Sequence, residues 1–206
     1  HRWAGRNAVY ASGEWATPLG TLAVDEALAR ELIDAAGGLL ADDAAAHSGE
    51  HAIEVQLPFI RHWFPHARIV PISVSPDSAA TEIGQRVGER LKAAGRDVVV
   101  IGSTDLTHYG EPYDFMPMGV GERADQWMRA NDRRMIEFAL RMDAAHIVGE
   151  ARTHQNACGS GALAATVAAA AEMGAARGHL LEYRTSFDVA PEPIFRMAVG
   201  YAGIVF

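Results

Sequence analysis

The 206-residue chain has one cysteine, Cys158, and so closes no disulfide within itself. A fold held by its core is expected, in a reducing compartment, and on that ground the protein is read as cytoplasmic. No run of about 18 apolar residues is present to span a bilayer. The most apolar stretch, residues 157–176, is mostly alanine and opens on Gly159, Ser160 and Gly161 after Cys158, so it reads as a helix buried against a sheet. No block of Lys and Arg offsets the acidic residues, and the net charge is −8. Nucleic acid and anionic membrane need a basic footprint, and both are excluded as main partners. Repeats and low-complexity linkers are missing as well, so residues 1–206 are expected to form one domain around one core. The chain starts at His1 with no signal-peptide pattern behind it, and it reads as trimmed.

What is present is an alternation of strands and helices. NAVYAS (7–12) and TLAVD (21–25) look extended, and Asp25 is placed to cap EALARELIDAA, whose Ala27, Leu28, Leu32 and Ile33 share a face. GEHAIEVQLPFIRHWF (49–64) reads as helical, with a kink expected at Pro58. ARIVPISV, SAATEIGQRVGERLKAAG and DVVVIGS form a strand–helix–strand unit, which implies parallel neighbours. A long amphipathic helix (ERADQWMRANDRRMIEFALRM), a shorter one around 144–151, the alanine-rich helix and the strands HLLEYRTSF and FRMAVGYAGIVF follow. The expected class is α/β, a single layered domain with a partly parallel mixed sheet flanked by helices.

Three stretches carry residues suited to chemistry. VVVIGSTDLTHYG reads as a buried strand ending in Asp105, His108 and Tyr109. Ligands collect beyond the carboxyl ends of strands in open α/β sheets, and three-residue spacing in a loop lets Asp105 and His108 converge. The plainer reading is a turn cap beside a surface histidine. In HSGEHAIE, His51 and Glu54 fall on one face if the segment is helical, a spacing for a metal ligand and its orienting partner; a solvated helix start explains it as well. In THQNACGSG, Cys158 lies where a loop becomes a helix, which favours thiolate and hence metal ligation or nucleophilic attack. A lone cysteine also serves as a small core residue.

Taken in order, these stretches resemble the Memo-like family, also called AmmeMemoRadiSam system protein B, which is related in fold to class III extradiol ring-cleavage (LigB-like) dioxygenases. The resemblance rests on TPLGTLAVDEAL, EHAIEVQLPFI, STDLTHYG, NACGSG and the terminal GYAGIVF, nearly end to end. It implies a metal site at His1, His51 and Cys158, with His108 as acid–base residue, Asp105 holding it, and Glu50, Glu54 and His154 as orienting neighbours. Iron or copper is favoured and zinc also suits the donor set. A thiolate stands where the dioxygenases have a carboxylate, so ring cleavage itself does not carry over. The implied activity is oxidation of a small molecule with oxygen. Two alternatives are a non-catalytic peptide- or partner-binding protein and a metal-free Cys–His nucleophilic enzyme. The resemblance further implies radical-SAM and AMMECR-type partner proteins, and an upstream Pro-His-Ala-Gly-Tyr strand that these residues do not contain. A sheet open at that edge also permits a homo-oligomer.

Overall fold

The structure, a computed structural model, describes residues 5–95 and 97–206. It is an α/β arrangement with a mixed sheet flanked by helices. β1 (Ala8–Val9) runs parallel to β4 (Ala41–Asp42) and antiparallel to β5 (Ile72–Ser73). A hairpin of β2 (Glu14–Thr17) and β3 (Gly20–Ala23) leads into α1 (Glu26–Ala35). The Asp25 side chain accepts the Leu28 amide proton at 3.0 Å, the cap expected for this helix. Its inner face, with Leu28, Ala29 and Leu32, packs with Ile83, Val87 and Leu91 of α3 (Ala79–Ala94) beneath Val9.

A second core lies between α4 (Glu122–Leu140), α5 (Ala144–His154) and α6 (Ser160–Met173). The third sheet is antiparallel in the order β6 (His108–Tyr109), β8 (Ala198–Val205), β7 (His179–Thr185), with the short α7 (Ser186–Val189) after β7. Tyr109, Met128 and Phe195 form a third cluster beside it. The Tyr109 hydroxyl donates to the Gly119 carbonyl at 2.9 Å, so the phenol that ends the apolar run is a core residue.

The alanine-rich helix is apolar all round, as a helix buried on several sides must be. It sits so close to α3 that a Cβ on Gly84 would collide with the Ala165 carbonyl, and one on Gly88 would lie 2.6 Å from the Ala169 oxygen. Small residues on both helices bring the two backbones together.

Two expectations are corrected. Residues 49–64 are not one kinked helix: a 3-10 turn at Glu54–Gln56 precedes α2 (Leu57–Trp63), and Pro58 lies in its first turn. Proline is pre-organised for that position, where no amide donor is needed, so it starts the helix rather than bending it. The run DVVVIGS forms no ladder among the described residues, so the parallel strand–helix–strand unit is not closed there. Its outer side borders a cavity of about 1120 Å³ instead of a neighbouring strand. No described helix is long and apolar enough to cross a membrane.

Gly84→Ala is expected to lower stability by about 1–2 kcal/mol, because overpacking against backbone outweighs the gain of roughly 1 kcal/mol in helix propensity. Gly149→Ala, within α5 and with nothing within 4 Å of the new methyl, is expected to raise it. Denaturant midpoints of the two variants measure the contrast.

Candidate functional site

The site forms where two loops meet. Residues 104–107 lead into β6, and residues 155–159 lead from α5 to α6. Gln155 ends α5 in the left-handed conformation, turning the chain toward Cys158. The Cys158 amide donates to the Asp105 carbonyl at 3.2 Å, and the Asp105 amide donates back to Cys158 Sγ at 3.3 Å. The Gly159 amide donates to Thr104 Oγ1 at 2.8 Å. A Cβ on Gly159 would lie 2.7 Å from the Ser103 carbonyl oxygen, so this approach requires glycine.

His108 Nε2 lies 3.2 Å from Asp105 Oδ2. A ligand atom from each of Asp105, His108 and Cys158 falls within 4.8 Å of the other two, with the carboxylate and imidazole half-buried and the sulfur exposed. Asp105, and next Cys158, raise the His108 pKa to about 9 against the opposing effect of burial. The Tyr113 ring lies 4.9 Å from the His108 ring. Burial first, and then the nearby Asp105, push the Tyr201 phenol upward.

A buried polar network holds both loops. Asp132, fully buried, accepts the Thr107 amide at 2.8 Å and the Tyr183 hydroxyl at 2.7 Å. Burial raises its pKa, and the bonds from Thr107 and Tyr183 oppose that rise. Asn131 donates to Thr107 Oγ1 at 3.1 Å and to the His154 carbonyl at 2.9 Å. Asn156 donates to the Asn131 carbonyl at 2.9 Å and to Glu150 Oε1 at 3.1 Å. Arg134 closes the set with two bonds to Glu150, at 2.7 and 3.0 Å.

Of the residues named from sequence, Asp105, His108 and Cys158 converge. His51 is exposed and lines the same cavity as Asp105, outside the tight three-donor set. His1 lies outside the described residues. Glu50 Oε1 accepts the Ile53 amide at 2.7 Å, and its other oxygen is buried without a hydrogen-bond partner among the described residues. Glu54 is exposed on the 3-10 turn, so it shares no α-helical face with His51. The His154 ring accepts from Arg134 at 3.0 Å and its carbonyl accepts from Asn131, so both belong to the network behind the site rather than to the three-donor set. His47 is buried against the edges of Tyr10 and Trp15, and burial lowers its pKa.

Sequence reasoning missed Thr107, Asn131, Asp132, Asn156, Tyr113, Tyr183 and Tyr201. One signal was present. On α4, Asn131 and Asp132 occupy the stripe otherwise filled by Met128, Met135, Ile136 and Ala139. Polar residues on a buried stripe need partners, and these two find theirs in the site loops. The tyrosines carried no such mark, since they come from distant elements.

The family pattern described as Memo-like protein matches residues 1–205. A MEMO1 family protein of Thermococcus onnurineus is 38% identical over 210 residues, covering 97% of this chain and 70% of its own length. One from Pyrococcus horikoshii is 37% identical, covering 96% of this chain and 70% of its own. A third, from Methanopyrus kandleri, is 37% identical over 97% of this chain and 66% of its own length.

In metal-free protein, His108 is expected to titrate near 9 by NMR, and Asp105→Asn is expected to bring it down toward 6.5. Because the folded value is the higher one, His108 adds stability fully below about pH 6.5 and loses it as pH rises through about 9. Asp105→Asn should flatten that slope. Asn156→Ala, which leaves buried groups of the network unpaired, is expected to cost about 1–3 kcal/mol in chemical denaturation.

Proposed function

We start from the finding that this chain belongs to the Memo-like family, and we propose that it binds a transition-metal ion through Cys158 and oxidises a small molecule there. The observation that carries this reading is the convergence of thiol, imidazole and carboxylate from two loops, beside a cavity that Asp105 and His51 line. Thiolate and imidazole donors together suit iron, copper and zinc. Iron or copper would supply the electron-transfer and oxygen chemistry that side chains lack.

In this reading Cys158 and His51 hold the ion, with His1 as the third ligand implied by the family resemblance. His108 is then the acid–base residue beside it, oriented by its bond to Asp105. The tight donor set supports a second assignment at the same place, in which Asp105, His108 and Cys158 are themselves the ligands. The exposed sulfur beside His108 also supports a metal-free reading, with Cys158 as nucleophile and His108 as its base.

Elemental analysis of protein purified without added metal tests all three. Near-stoichiometric iron, copper or zinc in wild type, lost in Cys158→Ala, is the expected result. Loss in His51→Ala with retention in His108→Ala assigns the first ligand set, and the reverse assigns the second. Less than ~0.1 equivalent in wild type, with no tight uptake on titration, overturns the metal reading. Fast, stoichiometric alkylation of Cys158, slowed in His108→Ala, would then favour the nucleophile.

A further inference from the structure

A strand at the edge of a sheet offers unpaired amides and carbonyls to any chain that can lie beside it. β7 is such a strand: seven residues long, it pairs with β8 on one side and with no described strand on the other. The devices that usually blunt an edge are sparse here. Residues 179–185, HLLEYRT, hold no proline and no lysine. The one irregularity of the ladder lies at Leu181, between the pairs Leu180–Ile204 and Glu182–Gly203, and residues 182–185 keep regular register with β8. Leu181 itself is 68% exposed.

The charges on this edge are self-complementary. Glu182 and Arg184 share one face of the strand, where Arg184 Nε donates to Glu182 Oε1 at 2.6 Å. Their side chains are 62% and 61% exposed, and an exposed pair of this kind contributes little within one chain. Tyr183, between them, points to the opposite face, where its hydroxyl donates to Asp132.

We propose that β7 pairs antiparallel with β7 of a second copy of this chain, about a two-fold axis level with Tyr183. In a symmetric antiparallel pair the axis passes level with a residue, because side chains directly opposite one another share a face. An axis at Glu182 sets that carboxylate against its own copy, and an axis at Arg184 does the same with two guanidinium groups. Like charges directly opposite are destabilising. An axis at Leu181 falls on the irregularity of the ladder. With the axis at Tyr183, Glu182 of each copy lies opposite Arg184 of the other, so four charges alternate in sign across the seam. Leu181 of each copy then lies opposite Thr185 of the other. Two three-stranded sheets join as one sheet of six, in the order β6-β8-β7-β7-β8-β6. The seam also reaches the candidate site, because Tyr183 on the axis bonds Asp132, which accepts the Thr107 amide beside His108. The inference rests on the sheet edge and stands whether or not a metal binds.

Sedimentation velocity of the 206-residue chain, from about 1 μM to about 500 μM, is the test. A dimer fraction that rises with concentration is expected, together with slower amide exchange within residues 181–185 over the same range. Glu182→Arg and Arg184→Glu change exposed side chains, so each should leave the melting temperature of the dilute chain unchanged. Each variant alone is expected to self-associate about tenfold more weakly than wild type, because like charges then face each other across the seam. Mixing the two variants should restore association, since one presents two cations and the other two anions. The double variant Glu182→Arg/Arg184→Glu, with both charges exchanged, should associate as wild type does. A chain that stays monomeric throughout overturns the proposal. Single variants that associate like wild type, or a mixture that associates no more tightly than either variant alone, assign any dimer to another surface and overturn it equally.

Discussion

The start of α6 lies closer to its neighbours than any ordinary side chain would allow. Gly159 packs on the Ser103 carbonyl, and Gly161 on the backbone at Val74 and Ser75. Further along, Ala165 and Ala169 meet Gly84 and Gly88 of α3. Dispersion is short-ranged, so backbones in contact gain attraction that bulkier residues would lose by holding the helices apart. The same approach places Cys158 against Asp105, because the sulfur sits immediately before the helix that is being pressed inward. Core packing and site geometry therefore rest on one constraint.

Behind the site, the polar network fixes what packing alone would leave loose. A buried carboxylate such as Asp132 is costly unless it is hydrogen-bonded, and it has the Thr107 amide and the Tyr183 hydroxyl. These bonds cross between elements distant in sequence: α4 to the loop before β6, α4 to β7, and through Asn131 and Asn156 to the loop bearing Cys158. A satisfied buried network has one good arrangement, and that specificity is what a preorganised site requires. At the open end of the site Cys158 is exposed, and His51, Asp105 and Tyr201 line the cavity.

Where local rules dominate, sequence and structure agree closely. The Asp25 cap, the α3 helix stopped at Gly95 and the long α4 helix all follow from neighbouring residues. The two misreadings share a cause. The helix expected from residue 49 rested on periodicity, yet the 3-10 turn there is set by the Glu50 side chain bonding the Ile53 amide and by Pro58 starting a new helix. The strand expected at 98–103 has strand composition, but a ladder needs a partner, and composition supplies none.

The sequence by itself determined the alternation of helices and strands, the small residues that let α3 and α6 touch, and the residue types of the candidate site. Asp105 and His108 stood out because a carboxylate and an imidazole at the end of an apolar run have no role in packing, and Cys158 because it lies where a loop becomes a helix. Only the tertiary structure decided that these three meet, that His51 stands apart from them on the cavity that Asp105 lines, and that Asn131, Asp132 and Asn156 hold the loops in place. The reason is distance along the chain: Asp105 and Cys158 are 53 residues apart, and no local propensity encodes a contact made when separate elements close on one core.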